Sequence, residues 1–448
     1  MTSPKHREAR RAGARRDARG DRRQRGVALI IAVVAITILT VVATEFAYNT
    51  RVDLQLAANQ RDEVQAMYMA RSGVALSRLL LRFQKQVDQT PIPNVGDLLK
   101  QFTGGGTAAG GQQPASSLNI QLWKLARVDC HMLKGLVPAG GAEGEDDEAS
   151  AAPALHEDED DEASTELSLA PAKRSFGSFS GCFLATISDE EEKLNLHRLN
   201  AGSGDALPTA MRLTDLLEDK RFEFLFSRED ANRVRVDPRE VIIHIKDWVD
   251  EDKMKSGLDF TSAVGPFVGG FADEGSPYSR YEPRYEPKNA RFDSLDELYR
   301  VHGVNDRFMA AFRDRITVYP DVNSKPNVNT DDPMMMYMAI RSAADPARPD
   351  PRLNDPVFVQ ELISRIRAAR AFSFFGTSVA DFVSAIESAG IAVNPQLKAN
   401  VAGNRLLGDK STTFTIKSVG EAGSVQKTIT AVVRLDDALG KLLYWREE

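Results

Sequence analysis

GVALIIAVVAITILTVVATEFAYNTRVDLQLAANQRDEVQAMYMARSGVALSRLLLRF, Gly26 to Phe83, is the stretch on which the fold of this chain turns. Its first part, Val27–Thr44, holds no charge, proline or glycine. As a helix it spans about 27 Å, close to the ~30 Å hydrocarbon core of a bilayer. A helix apolar on every side is a membrane span or a deep core element, not a surface helix. From Glu45 the run becomes two-faced and meets no breaker until Gly73. Val64, Tyr68, Ala75, Leu79 and Phe83 recur at near-helical spacing, with Arg51, Asp53, Arg61, Asp62 and Arg78 interspersed. This stripe is expected to pack on a small sheet; the heptads are not sustained enough for a coiled coil.

The flanks fit this reading. Residues 1–26 hold Lys5 and nine arginines against three acids, a charge of +7 in a chain whose net charge is −7, leaving −14 on the rest. A basic leader before an apolar run is the signal that keeps this end in the cytoplasm, and its composition predicts an unfolded tail in water. The acidic body is a poor match for nucleic acid, which needs a positive surface. Val42-Ala43-Thr44-Glu45 is a weak cleavage site for an ordinary signal peptide. We therefore expect a retained single-pass membrane anchor with the body outside the cytoplasm. The alternative is a signal-anchored periplasmic binding protein or hydrolase.

The rest of the 448 residues is long enough for two or three folded units. Thr103–Pro114 is a glycine-rich loop without the Lys-Ser/Thr of a phosphate loop. Leu118–Leu133 reads as a strand in its first half, and Ser175–Ile187 returns to strand character. Between them, residues 139–170 form an acidic, low-complexity insert expected to stay unfolded. Cys130 and Cys182 sit on the two flanking strands. A bridge between them would close a loop of roughly fifty residues, worth about 4 kcal/mol in the chain-entropy model. Helical patterns follow at Pro208–Glu218, Phe222–Phe226, Pro238–Val249, Met334–Ala343, Asp355–Ala371 and Ser378–Ala389. Ser294 and Glu297 have the spacing of a capping box, with Gly303 as the stop. Ser411–Lys417, Lys427–Leu435 and Lys441–Trp445 read as closing antiparallel strands. The six histidines lack metal-ligand spacing, and no Gly-x-Ser-x-Gly word occurs, so we expect no enzyme. His244, inside Val-Ile-Ile-His-Ile, reads as a packed core residue.

Acids supply the one candidate cofactor site. Asp247, Asp250 and Asp252, at spacings of three and two, can converge on a hard cation only in a loop or at a helix end. Calcium takes 6–8 oxygens, so more must come from elsewhere, and Asp273 and Glu274 are the candidates. A helix C-terminus with solvated acids accounts for the same pattern.

Several words carry a family resemblance. Arg25-Gly26 before Val27-Ala28-Leu29-Ile30-Ile31 resembles the leader of type IV pilins and type II secretion pseudopilins. Thr50–Val74, Asp189–Asn200, the Asp-Trp-Val-Asp-Glu-Asp word at 247–252, Phe292–Val304 and Pro326–Thr330 are similar to the minor pseudopilin K family of the general secretion pathway. The resemblance implies prepilin peptidase cleavage between Gly26 and Val27, with methylation of the new N-terminus. It implies calcium at the 247–252 word, although the Gly-Ala-Glu word of many relatives is missing near residue 274. Most pilins keep a glutamate at the fifth mature position, where Ile31 stands here. A subunit with no neighbour above it has no ammonium group to satisfy there, so Ile31 fits the filament tip.

The implied fold is α+β and type IV pilin-like: a long N-terminal helix packed on an antiparallel sheet, with an inserted helical region of two SAM-like modules. The expected division is leader 1–26, span 27–44, first pilin-like part 45–190, helical modules 191–320 and 321–405, and closing strands 406–448. The implied partners are the minor pseudopilins I and J, other pseudopilins, the peptidase and the inner membrane, which would hold the anchor with the body in the periplasm. The implied function is assembly of the periplasmic pseudopilus tip for protein export across the outer membrane.

Overall fold

The computed structural model describes residues 5–89, 119–125, 127–130, 175–176, 179–227, 229, 235–368, 375–400, 404–436 and 440–448, with side chains of the first helix described from residue 27. The glycine loop at 103–114 and the acidic insert at 139–170 lie outside the described residues.

Helix α1 runs unbroken through the 85 residues Lys5–Gln89, about 130 Å at ~1.5 Å per residue. The leader backbone is helical from Lys5, where composition argued for an unfolded tail. Arginine and alanine are good helix formers, and extending an existing helix avoids the cost of nucleating a new one. From Val27 on, the helix is long and apolar enough to cross a membrane. Its side chains from Val27 to Val42 stand exposed.

Packing begins at Ala66. Ala66, Met69, Ala70, Val74, Ser77, Leu81 and Gln84 are buried. This corrects the expected packing face. Val64 (55% exposed), Tyr68 (60%), Leu79 (44%) and Phe83 (52%) lie on the outer side instead. Backbone distance decides the matter. A Cβ on Gly420 of the sheet would stand 2.1 Å from Ala66 O and 2.4 Å from Ala70 N. Only the small-residue face of α1 can approach so closely.

The sheet is assembled from both ends of the chain. Strands β1 (Val128–Asp129) and β2 (Cys182–Asp189) come first. The chain then leaves for helices α2 (Ser203–Leu217) and α3 (Pro238–Val249) and a hairpin of β3 (Met254–Leu258) with β4 (Phe267–Asp273). Helices α4 (Asp306–Phe312), α5 (Pro333–Ala343), α6 (Pro356–Ala368) and α7 (Val379–Ser388) follow. The chain returns as β5 (Thr413–Ala422), β6 (Val425–Arg434) and β7 (Lys441–Glu447). The strand order is β7-β6-β5-β2-β1, with every neighbour antiparallel. Period-2 alternation on β5 turns Phe414, Ile416, Ser418 and Ala422 inward. Fold class is thus α+β, with a long N-terminal helix on an antiparallel sheet.

The segment expected to be one strand from Leu118 is broken. A short helix, Leu122–Leu125, interrupts it between Asn119–Ile120 and β1. Gln84 of α1 causes the break: its Oε1 accepts from Leu122 N at 2.8 Å and its Nε2 donates to Ile120 O at 2.8 Å. Trp123 then packs edge-on against Phe414 at 4.9 Å between ring centroids. Residues 295–300 likewise form a 3-10 turn in which Ser294 makes no side-chain cap. The capping box does not form: Glu297 Oε1 accepts instead from Asp293 N, one residue before the cap, at 3.1 Å.

Four consecutive acids, Asp189–Glu192, fasten sheet to helical region. Asp189 Oδ2 accepts from Ser411 Oγ (2.5 Å) and Asn327 Nδ2 (2.9 Å), and Glu191 accepts from Thr412 N and Oγ1. Glu190 accepts from Thr317 and Thr415 hydroxyls, and Glu192 pairs with Lys124 at 3.3 Å. Burial pushes the carboxyls of Glu191 and Glu192 up to about 8 each, with repulsion from Asp189 adding to it. Cys130 and Cys182 form a disulfide with Cα atoms 5.4 Å apart, tying β1 to β2 across 52 residues.

Candidate metal centre

Helix α3 positions the first ligands. Asp237 caps its N-terminus by accepting from Arg239 N, and Pro238 occupies the first turn, so the helix start is fixed. The helix runs to Val249, which puts Asp247 on the last turn and Asp250 at the C-cap. A helix C-terminus carries negative partial charge, so two carboxylates there repel the dipole unless a cation joins them. The β3–β4 hairpin brings the third acid. Ser256 N donates to Asp247 Oδ1 at 3.0 Å, and Glu274 N donates to Lys253 O at 3.3 Å, which sets Glu274 beside the helix end.

Asp247, Asp250 and Glu274 are all buried, and one oxygen from each lies within 4.8 Å of the others. Asp247 Oδ2, Asp250 Oδ1 and Glu274 Oε2 each lack a hydrogen-bond partner, as does the nearby Asn289 Oδ1. Buried carboxylate oxygens with no donor are costly. Lys246 relieves part of this, its Nζ lying 2.5 Å from Asp250 Oδ2. Burial is the main force raising all three carboxyls, Asp247 to about 6 and Glu274 to about 7; repulsion among the acids adds to it. Beneath the cluster lies an aromatic floor, with Trp248 5.8 Å from Tyr278 and 6.3 Å from Phe292 between ring centroids.

The donor set is all oxygen and suits a hard divalent cation. The structure gathers three of the five acids singled out in the sequence. Asp252 and Asp273 are exposed and close turns instead, accepting from Met254 N (2.7 Å) and Gly275 N (3.0 Å). Asn289 was missed. Nothing in its Pro-Lys-Asn-Ala context announced it; the φ of 51°, in the left-handed region that asparagine tolerates, is visible only in the fold. The hairpin itself was also missed, because Gly257, Gly269 and Gly270 mask its alternation.

The other candidate residues lie away from this cluster. Val27 and Ile31 are exposed on α1, at 58% and 64%; the surroundings of Gly26 lie outside what is described. His244 is buried, with Nδ1 3.1 Å from His302 O, and desolvation lowers it to about 4.

No family model and no curated protein matches the chain. Among solved structures it is similar to a chain of "The Crystal Structure of the GspK-GspI-GspJ complex from enterotoxigenic Escherichia coli Type 2 Secretion System". The identity is 15% and the TM-score 0.42, over 61% of this chain and 82% of that one.

Proposed function

We propose that this chain is a minor pseudopilin of a type II secretion system, acting as an assembly subunit at the tip of the periplasmic pseudopilus. One observation carries the proposal: α1 joins an apolar, membrane-length run to an exposed apolar stripe on the face turned away from its own sheet. Val64, Tyr68, Leu79 and Phe83 stay exposed in the described fold. A helix with one face on its own sheet and the other apolar and free is built to pack against helices of other subunits. Before assembly the 27–44 run sits in lipid; afterwards it packs among its neighbours. The sequence words at 50–74, 189–200, 292–304 and 326–330 support the same reading.

In this role the leader stays in the cytoplasm until prepilin peptidase cuts after Gly26, and Val27 becomes the methylated N-terminus. Ile31 then presents no carboxylate at the fifth position, as suits the top subunit. The helical region, read as two SAM-like modules, stands above the sheet and blocks further addition. Minor pseudopilins I and J are the proposed neighbours. Asp247, Asp250 and Glu274, with Asn289 beside them, would hold calcium; bound there it supplies charge neutralisation that locks the β3–β4 hairpin to the end of α3. The proposed role is structural and non-catalytic.

The test is co-purification of the chain with I and J from membranes, alongside mass analysis of its N-terminus. A ternary complex and a mature chain starting at N-methyl-Val27 are expected, and Leu79→Arg with Phe83→Arg should dissolve the complex while the body stays folded. An uncut leader, cleavage near residue 44, or an undiminished complex in the arginine variant defeats the proposal.

A further inference from the structure

Three arginines meet where the two sets of helices join the closing strands, with one acid between them. Arg198 Nη2 bonds Asp205 Oδ1 at 2.8 Å, and Arg405 Nη1 reaches Asp205 Oδ2 at 3.5 Å. Arg212, seven residues along α2 from Asp205, donates Nε to Ser342 Oγ at 2.7 Å and Nη2 to Leu406 O at 3.2 Å. Arg198 Nη2 also reaches Arg405 O at 3.4 Å, so the two buried guanidinium groups address adjacent carbonyls of one turn.

The charges do not balance. Arg198 and Arg212 are only 5% and 8% exposed. Arg212 pairs with no carboxylate among the described residues, and Arg198 Nε is a buried donor with no acceptor. Burying a cation without a counter-charge is strongly unfavourable, and buried guanidinium groups are normally matched by carboxylate or phosphate forks. Desolvation, with Arg198 adding to it, already drags Arg212 down to about 9. Three guanidinium groups against one carboxylate leave a local charge of +2.

We infer that this cluster binds a small divalent oxyanion of the phosphate or sulfate type, held between Arg198, Arg212 and Arg405. The excess charge matches a dianion, and the free Arg198 Nε–H supplies a donor for it. Burial of two of the three arginines favours a free ion over a bulky headgroup. The site is independent of the metal centre and of the assembly role. It would fasten α2 and α5 to the turn at 404–407, stiffening the joint between the helical region and the sheet.

The experiment is thermal melting of the full chain in detergent micelles, in phosphate, in sulfate and in chloride at equal ionic strength. About 10 mM phosphate or sulfate should raise the parent's Tm by roughly 3 °C or more over chloride. Arg212→Met should melt at or above the parent in chloride, because it removes an uncompensated buried cation, and should lose the oxyanion response. Arg405, whose side chain is 77% exposed, gives a variant that leaves the packing alone. Arg405→Gln should weaken the midpoint for phosphate by about tenfold, because it removes one charge-assisted hydrogen bond to the ion. A parent that responds no more to oxyanions than to chloride overturns the inference. So does an undiminished response in Arg405→Gln, which also decides the matter should Arg212→Met fail to fold.

Discussion

Replacing Asp247 by asparagine tests the metal centre through a change of sign. Asp247 Oδ1 already accepts from Ser256 N, and asparagine keeps that acceptor with nearly the same shape. What changes is the unpaired Oδ2, which becomes an amide among carboxylates. Burial raises the Asp247 carboxyl to about 6 from 3.8. A raised carboxylate contributes stability that is complete below its unfolded pKa and lost as pH rises through its folded one. Above pH 6 the ionised group therefore costs the fold up to about 3 kcal/mol, at 1.36 kcal/mol per unit. Relaxation of the surroundings, which gives even buried sites an effective dielectric well above that of dry protein, reduces this to about 1–2 kcal/mol.

The expected outcome in chelator at pH 7.5 is thus a variant more stable than its parent by about 1–2 kcal/mol, or roughly 2–6 °C in Tm. The gain should fade by pH 4, where the parent's carboxyl is protonated. With calcium the order reverses. At a concentration a hundred times its Kd the ion stabilises the parent by about 2.7 kcal/mol, while the variant has lost a ligand charge and gains little. Differential scanning calorimetry at pH 4 and 7.5, with chelator and with millimolar calcium, reads all four values. An Asp247→Asn protein less stable than its parent in chelator, or one that responds fully to calcium, would refute the reasoning that these acids await a cation.

Other perturbations follow from the same geometry. Gly420→Ala drives a methyl into the α1 backbone at Ala66 and Ala70, and should cost about 3 kcal/mol, the upper end of overpacking, because no side chain can yield; an unchanged denaturant midpoint would contradict the close approach. The Cys130→Ala, Cys182→Ala double variant should lose about 4 kcal/mol for its 52-residue separation, read as a fall in urea midpoint. Glu191 and Glu192 are raised to about 8 from 4.5, chiefly by burial, so stability should fall as pH rises from about 5 to 8 and level off above that. Glu192→Gln should flatten that slope, and a melting temperature constant across the range would count against the buried-acid junction.

Much of this architecture was legible because hydrophobic period and chain punctuation agree with it. Pro238–Val249 carries Asp237 as cap and proline in its first turn, and the helix occupies those twelve residues. The closing strands have alternation and a glycine turn, and they pair along their length. What escaped the sequence depends on distance between segments far apart. The outward stripe of α1 has the better hydrophobic spacing, yet Gly420 admits only the face of Ala66, Ala70 and Gly73. Likewise, nothing local announces that Gln84 will claim the backbone at 120–122. In the metal centre, acid spacing located the α3 end, but Asp252 and Asp273 were indistinguishable from true convergers until the hairpin fixed which side chains point inward.

The division of α1 into two faces bears on function. Had Val64, Tyr68, Leu79 and Phe83 packed on the sheet, the helix would have been finished within its own chain, and the apolar run at 27–44 would have been a plain anchor. With small residues committed to the sheet, the large ones remain for association. Their exposure removes part of the apolar area from the fold's own stability, at about 25 cal/mol per Å² left in water. A chain keeps such a stripe when another surface covers it. The same logic separates the two faces in a mutational scan: enlarging Gly420 or Gly73 should unfold the body before it affects partners, whereas charging Leu79 or Phe83 should leave the melting temperature nearly intact and remove association. A Leu79→Arg protein that melts as low as Gly420→Ala would mean that the outer stripe belongs to the core after all.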